Sequence, residues 1–260
     1  MLQNFIEFVI SIENELLLAF LAGALVAFAT FLGSLFALIH RKAPEFAIEL
    51  SLSFSAGIML VAGFLSLIMP SIEMKDFKTA SIGILLGVLI IHLLDRFSPH
   101  EHIIKGYEGP EEFRRRIKVI WLILIAVVIH NIPEGLAVGT LLVYDVEQGL
   151  TTAFAIAIQD VPEGAIVALP LAVLGIGKFR AIFYGVLTGI SEMVMVLLGA
   201  LFFTLFSSLL SYGLSFAGGA MLYIVVKEMI PEIYKKEEDN LLASVGFLSG
   251  FYLMLFLETI

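Results

Sequence analysis

The sequence predicts an all-α integral membrane protein with eight transmembrane helices, and three observations support this fold class. Apolar residues make up 60% of the 260-residue chain, and the mean hydropathy is +1.01, far above that of an ordinary soluble domain. Apolar stretches of roughly 20 residues, the length at which a helix crosses a bilayer, recur along the chain. Lysine and arginine are concentrated in alternate connections between these stretches.

The predicted spans are separated by short connections, apart from one charged loop at residues 96–118. Short connections favour one compact bundle, so we predict a single polytopic membrane domain over residues 1–260. The first fifteen residues carry three glutamates and no lysine or arginine, so they lack the basic start of a secretory signal. The predicted spans are 16–39, 50–69, 79–94, 119–143, 150–175, 181–206, 212–226 and 241–257.

The distribution of the fifteen lysines and arginines predicts the orientation of the chain. Thirteen of them lie in the first, third, fifth and seventh connections or at their edges, and only Lys75 and Lys78 lie in the second. By the positive-inside rule the four basic connections, including the loop 96–118, are cytoplasmic. Both termini are then outside, which agrees with an even number of spans.

The fourth span contains polar residues that are costly at mid-membrane depth, in the run His130-Asn131-Ile132-Pro133-Glu134-Gly135. His130 and Glu134 are four residues apart, and Asn131 and Glu134 are three apart, so their side chains share one face of a helix. Pro133 lacks an N–H and is expected to kink this helix and free backbone oxygen beside those side chains.

A matching run, Gln159-Asp160-Val161-Pro162-Glu163-Gly164, follows in the fifth span. One such run alone could be helix-packing material, because proline, glycine and hydrogen-bonded polar residues occur in membrane helices. Two matched runs, together with Glu192 in the sixth span, indicate a binding site. Because the fourth and fifth spans run in opposite directions, the two runs also indicate inverted repeats with a site between them.

A weaker similarity relates the second and seventh spans. The run Ala56-Gly57-Ile58-Met59-Leu60, followed by Met69-Pro70, resembles Gly218-Gly219-Ala220-Met221-Leu222, followed by Ile230-Pro231. These two spans also run in opposite directions, so they are expected to be inverted relatives. Small residues and methionine are, however, ordinary packing material in membrane helices.

The donor set of the two runs suits a divalent transition-metal cation such as zinc, iron, manganese or cadmium. With no cysteine in the chain, no thiolate is available to a metal, and the two runs offer only nitrogen and oxygen donors. His130, Glu134, Gln159 and Glu163 lie at i, i+4 on their helices and could hold one ion. Asn131, Asp160 and Glu192 could hold a second, with Glu134 and Glu163 bridging. The four carboxylates sum to −4, which two divalent cations neutralise.

At these residues the sequence resembles the ZIP (Zrt/Irt-like) family of divalent-metal transporters, and in particular its bacterial branch. The resemblance covers essentially the whole chain and implies a binuclear centre, import toward the cytoplasm and sliding of one helix bundle against another. It also implies a location in the inner membrane and a role for Met59 near the metal path. Many members carry histidine where this chain has Gln159, so strict zinc preference is not expected. The implied ligands are His130, Glu134, Gln159 and Glu163 for the first ion, and Asn131, Glu134, Asp160, Glu163 and Glu192 for the second.

Two other functions are compatible with a buried metal site. An intramembrane metallohydrolase would use the ion to activate water, but the chain has no His-Glu-x-x-His motif. A metal sensor or a magnesium-type channel is the second alternative. The expected partners are divalent ions and the lipid bilayer, and a homodimer is left open. The net charge of −9 is spread over the loops and gives no sign of nucleic-acid binding.

Overall fold

A computed structural model describes residues 14–39, 45–102, 106–108, 119–234 and 241–259. Within these ranges, seven helices are long and apolar enough to cross a membrane, and a shorter apolar helix of 17 residues follows them. In chain order they are α1 (Glu15–Ile39), α2 (Phe46–Met74), α3 (Phe77–Phe97), α4 (Ile120–Tyr144), α5 (Val146–Ile176), α6 (Lys178–Leu205), α7 (Ser207–Ile233) and α8 (Leu241–Leu257).

The helices follow the order of the predicted spans, and several are longer than predicted. Seven of the described helices qualify as candidate spans, so the eighth span stays a prediction. The third span, predicted at 79–94, is a helix of 21 residues because Asp76 caps it earlier. The Asp76 side chain accepts a hydrogen bond from the Thr79 amide at 2.7 Å, and this bond lowers the pKa of that carboxyl. The predicted external residues 1–13 lie outside the described part of the chain.

The loop after α3 departs from the all-α prediction. It begins with a short antiparallel hairpin of β1 (His100–His102) and β2 (Gly106–Glu108), in which His100 is opposite Glu108. The first strand packs against α4. Residues 109–118 of the loop are outside the described ranges.

The described helices pack in two groups of four. In the first group, α1, α4, α5 and α6 contact one another, and in the second, α2 pairs with α8, α3 pairs with α7, and α7 also contacts α2. The two groups meet where α4 contacts α7 and where α2 contacts α5. The two polar runs, one on α4 and one on α5, therefore belong to the first group and lie near its boundary with the second.

Glycines allow the closest helix approaches within each group. A Cβ on Gly164 of α5 would collide with the Thr30 carbonyl of α1, and one on Gly57 of α2 would collide with the Phe247 carbonyl of α8. Wherever a described helical glycine has backbone of another helix among its nearest atoms, that helix belongs to the same group. Small residues of this kind let membrane helices pack backbone against backbone.

Proline distorts α2 and α7 at corresponding places. A π-helical segment at Ala62–Ile68 precedes Pro70 in α2, and another at Val225–Met229 precedes Pro231 in α7. In both helices the residue directly before the proline donates its N–H to the carbonyl five residues earlier. This shared distortion strengthens the sequence similarity between the two spans. By contrast, α4 and α5 continue as α-helix through Pro133 and Pro162.

Candidate metal site

A one-residue connection between α4 and α5 brings the two polar runs together. Asp145 alone separates the two helices, and its side chain accepts a hydrogen bond from the Gln148 amide at 3.0 Å to start α5. The helices therefore return antiparallel and in contact. Across this contact Gln159 Nε2 donates a hydrogen bond to Glu134 Oε1, so the two runs meet as the sequence predicts.

The sixth helix completes the cluster. Asn131 Nδ2 donates a hydrogen bond to the Thr188 carbonyl of α6 at 3.1 Å. The side-chain oxygen of Asn131 takes no part in this bond. Glu192 lies on α6, one turn beyond Thr188, and is 1% exposed. Glu192 and Asp160 are close enough to interact directly, and Glu134 and Glu163 lie in the same buried cluster.

Several buried oxygen atoms of the cluster have no hydrogen-bond partner. Unpaired oxygens of this kind are costly in a membrane interior, since each loses its water without gaining a donor. A cation is the ligand that satisfies several such oxygens at once. Among the described residues of the two runs and α6, the unpartnered atoms are Asn131 Oδ1, Glu134 Oε2, Gln159 Oε1, both carboxylate oxygens of Asp160, and Glu192 Oε1.

Two of the predicted ligands are less buried than the rest. His130 and Glu163 are half-buried, whereas Asn131, Glu134 and Asp160 are buried. The exposed sides of His130 and Glu163 face a cavity of about 110 Å³, which Glu134 and Met59 also line. Three of the four residues predicted to hold the first ion therefore line the cavity, whereas Gln159 is fully buried. Asn131, Asp160 and Glu192, predicted for the second ion, are buried and do not line it.

The cavity extends from the polar cluster toward one end of the bundle. Its walls come from the N-terminal halves of α2 and α4, the C-terminal half of α5 and the last turn of α7. These are the halves that adjoin the connections rich in lysine and arginine. Glu232, which the sequence places at the inner end of the seventh span, also lines the cavity.

His130 has a partner that the sequence analysis did not assign. Its Nε2 lies 3.0 Å from Glu228 Oε2 on the π-helical segment of α7, while its Nδ1 is 2.9 Å from the Ala126 carbonyl. Glu228 is therefore part of the cluster, although it lies near the C-terminal end of α7. The sequence places Glu228 and Glu232 at the inner end of the seventh span, where they could line an exit, but it does not predict the contact between Glu228 and His130.

The predicted ligand side chains do not surround a common point where an ion could lie. No group of three or more histidine, aspartate and glutamate side chains in the described ranges has a geometry that could hold an ion. The predicted donors are instead held by contacts with one another and with Glu228. Binding would require His130 to leave Glu228 and the carboxylates to draw together.

The other polar residues of the inner end have protein partners. His92 Nδ1 is 2.8 Å from the Tyr223 hydroxyl, and His100 Nε2 is 2.9 Å from Asp95 Oδ1. Lys227 Nζ forms an ion pair with Asp95. His92 and Asp95 therefore serve contacts between helices in this structure. The side chain of His102 lies outside the described residues.

Comparison with known proteins gives concordant matches. Residues 95–258 match the family model described as ZIP Zinc transporter. Zinc transporter ZIPB of Bordetella bronchiseptica is 38% identical over 258 residues, covering 93% of this chain and 80% of that protein. Zinc transporter GufA of Myxococcus xanthus is 37% identical over 247 residues, covering 91% and 96%. Zinc transporter ZIP11 of Homo sapiens is 27% identical, covering 80% and 86%.

Proposed function

The chain belongs to the ZIP zinc transporter family, and from this premise we propose that it carries zinc across the bacterial inner membrane through a binuclear site in the middle of the bundle. Members of this family are membrane transporters, and this chain is therefore a transporter and not an enzyme. Zinc is the substrate, and the protein supplies the donors, their charge and a path.

The observation that carries this proposal is the set of unpartnered oxygens on Asn131, Glu134, Gln159, Asp160 and Glu192. Four carboxylates in a dry interior repel one another strongly unless cations neutralise them. Two divalent ions supply the matching charge of +4. Zinc accepts both imidazole nitrogen and carboxylate oxygen, which are the donors present.

We assign the two ions by depth. The first ion lies at the cavity and takes His130, Glu134, Gln159 and Glu163. The second lies deeper and takes Asn131, Asp160 and Glu192, with Glu134 and Glu163 shared between the ions. The burial of Asp160 and Glu192, compared with the half-buried His130 and Glu163, supports this division.

We propose eight spans in one domain, with α8 as the last span and both termini outside. The basic connections then lie in the cytoplasm, and the cavity opens toward them. With this proposed orientation the cavity faces the cytoplasm, and the arrangement is the one from which an imported ion would leave. Met59 and Glu232 lie along this exit.

The packing supports movement of one helix group relative to the other. Backbone-to-backbone contacts at glycine lock helices together within each group, whereas the contacts between groups include a side-chain ion pair, His130 with Glu228. Side-chain contacts of this kind can break and reform when one group slides. Such sliding would expose the site alternately to the two sides.

The donor set also admits other divalent metals. With Gln159 in place of a second imidazole the site is rich in oxygen, and oxygen donors suit manganese and iron as well as zinc. We therefore propose cadmium, iron and manganese as further substrates that compete with zinc.

Zinc uptake into proteoliposomes tests the proposal. Glu134→Ala removes a carboxylate from both ions, and water cannot replace a charged ligand in a dry pocket, so uptake should be lost. The matched control is Glu147→Ala, because Glu147 is an exposed carboxylate at the outer end of α5. Retained uptake in Glu134→Ala, or equal loss in both variants, would refute the assigned site.

A further inference from the structure

One face of α5 carries oxygen donors well beyond the metal cluster. Gln148, Thr152, Gln159 and Glu163 are spaced four, seven and four residues apart, so they lie along a single stripe of the helix. Thr152 is seven residues before Gln159 and therefore lies about 10 Å farther along the helix, on the side away from the cavity. Gln148 lies one turn beyond Thr152, in the first turn of α5.

The hydroxyl of Thr152 is buried without a hydrogen-bond partner. The residue is 0% exposed, and its Oγ1 makes no hydrogen bond to any described residue. Other buried threonines on these helices behave differently. Thr140 Oγ1 donates to the Leu136 carbonyl at 2.6 Å, and Thr188 Oγ1 donates to the Gly185 carbonyl at 2.7 Å. Gln148 Oε1 is also buried and unpartnered in the described structure.

Thr152 lies at the boundary between the two helix groups. Three residues on, Ala155 packs in the apolar cluster that α2, α7 and α8 share with α4. Four residues on, Ile156 packs in the cluster of α1, α4, α5 and α6. Thr152 shares its side of α5 with both residues, so its position on the helix lies at the seam between the two groups.

This seam is closed on the side of Thr152. Ala62 and Leu67 of α2, Ala137 and Leu141 of α4, and Ala155 of α5 are buried together there in one apolar cluster. The opposite half of the same seam holds the cavity lined by His130, Glu134 and Glu163. The Thr152 hydroxyl is buried in the closed half without a hydrogen-bond partner. Water would become its partner if that half opened.

From this arrangement we infer that Thr152 and Gln148 form the outer part of the zinc path, where they accept hydrogen bonds from the water shell of an incoming divalent cation. The inference rests on the proposed transport through Glu134 and Gln159. Water bound to a dication is a strong donor, and hydroxyl and amide oxygens are neutral acceptors. Being neutral, they hold the hydrated ion weakly and release it to the carboxylates below, where it loses water.

Zinc uptake kinetics of Thr152→Val test the inference, because valine keeps the shape and removes the hydroxyl. Loss of one hydrogen bond to the arriving ion should raise KM by about three- to tenfold while kcat changes little. Thr152→Ser restores a hydroxyl and should restore KM. Thr140→Val is the matched control: this buried hydroxyl is already bonded within its helix, so KM should stay at the wild-type value.

Labelling provides a second measurement that does not depend on transport. The chain has no cysteine, so Thr152→Cys and Thr140→Cys each introduce a single thiol. A small charged thiol reagent applied from outside should modify the first variant and spare the second.

Three outcomes would overturn the inference: an unchanged KM in Thr152→Val, a Thr152→Ser variant as impaired as Thr152→Val, or no external labelling of Thr152→Cys. If the Glu134→Ala variant still takes up zinc, the proposed function itself fails. This outcome is distinct from the three above, so the two failures can be told apart.

Discussion

The imidazole of His130 and the carboxylate of Glu228 are 3.0 Å apart, and they join α4 to α7 across the boundary between the two helix groups. Since His130 is also the only imidazole in the proposed metal site, an ion and Glu228 compete for the same nitrogen. Under the proposed assignment, zinc binding would therefore be coupled to the contact between the groups at this one side chain.

The first prediction concerns this competition. In a structure of the zinc-loaded protein, His130 Nε2 should lie at roughly 2.0–2.1 Å from the ion, and its contact with Glu228 should be broken. The His100–Asp95 pair, at 2.9 Å and outside the site, serves as the internal control and should persist. A zinc-loaded structure that keeps the His130–Glu228 contact would remove His130 from the ligand set.

The second prediction concerns selectivity. Gln159→His adds an imidazole beside Glu134, and imidazole suits zinc better than manganese. Uptake in the presence of competing zinc, cadmium, manganese and iron should therefore shift toward zinc. Glu147→His places the same group on the same helix, at an exposed position outside the proposed ligands and the proposed outer path, and should leave the rank order of metals unaltered. An unchanged order in Gln159→His would mean that Gln159 is not a ligand.

The third prediction concerns which helices move together. Ser71 of α2 and Ser211 of α7 are reciprocally hydrogen-bonded, with their hydroxyl oxygens 3.1 Å apart. Cysteines at both positions should be close enough for a disulfide. Because both helices belong to one group, the oxidised Ser71→Cys/Ser211→Cys variant should still transport zinc. Loss of uptake on oxidation, with recovery on reduction, would show instead that α2 and α7 must separate during transport.

The fourth prediction concerns orientation. Glu147 and Arg180 are exposed at opposite ends of the bundle, and each can be replaced singly by cysteine in this cysteine-free chain. An impermeant thiol reagent added to intact cells should label Glu147→Cys and leave Arg180→Cys unlabelled until the membrane is opened. The reverse pattern would invert the assigned topology and, with it, the direction in which the cavity opens.

The sequence predicts the polar cluster well because its signals are local. A carboxylate four residues from a histidine shares a helix face wherever the helix packs, and Asp145 between two apolar runs forces α4 and α5 to return antiparallel. The hydrogen bond between Gln159 and Glu134 follows from that pairing.

Contacts between distant spans could not be read in the same way. The pairing of His130 with Glu228 depends on how α7 is rotated, and a π-helical segment before Pro231 sets that rotation. Helical periodicity assumes 3.6 residues per turn and so misplaces residues beyond such a segment. The grouping of the helices likewise depends on close approaches at glycines such as Gly164 and Gly57. The apolar pattern of the sequence does not indicate which helix packs against each of these glycines.

The central claim is that two ions bind together, and the number of ions bound to purified protein tests it most directly. Glu192 is proposed to contact only the second ion, so Glu192→Gln should keep the first site and lose the second. Anomalous scattering at the zinc edge, with elemental analysis of the same sample, should find two ions in the wild type and one in Glu192→Gln, the remaining ion lying beside His130. A wild type that never binds more than one ion, or a Glu192→Gln variant that still binds two, would contradict the binuclear site.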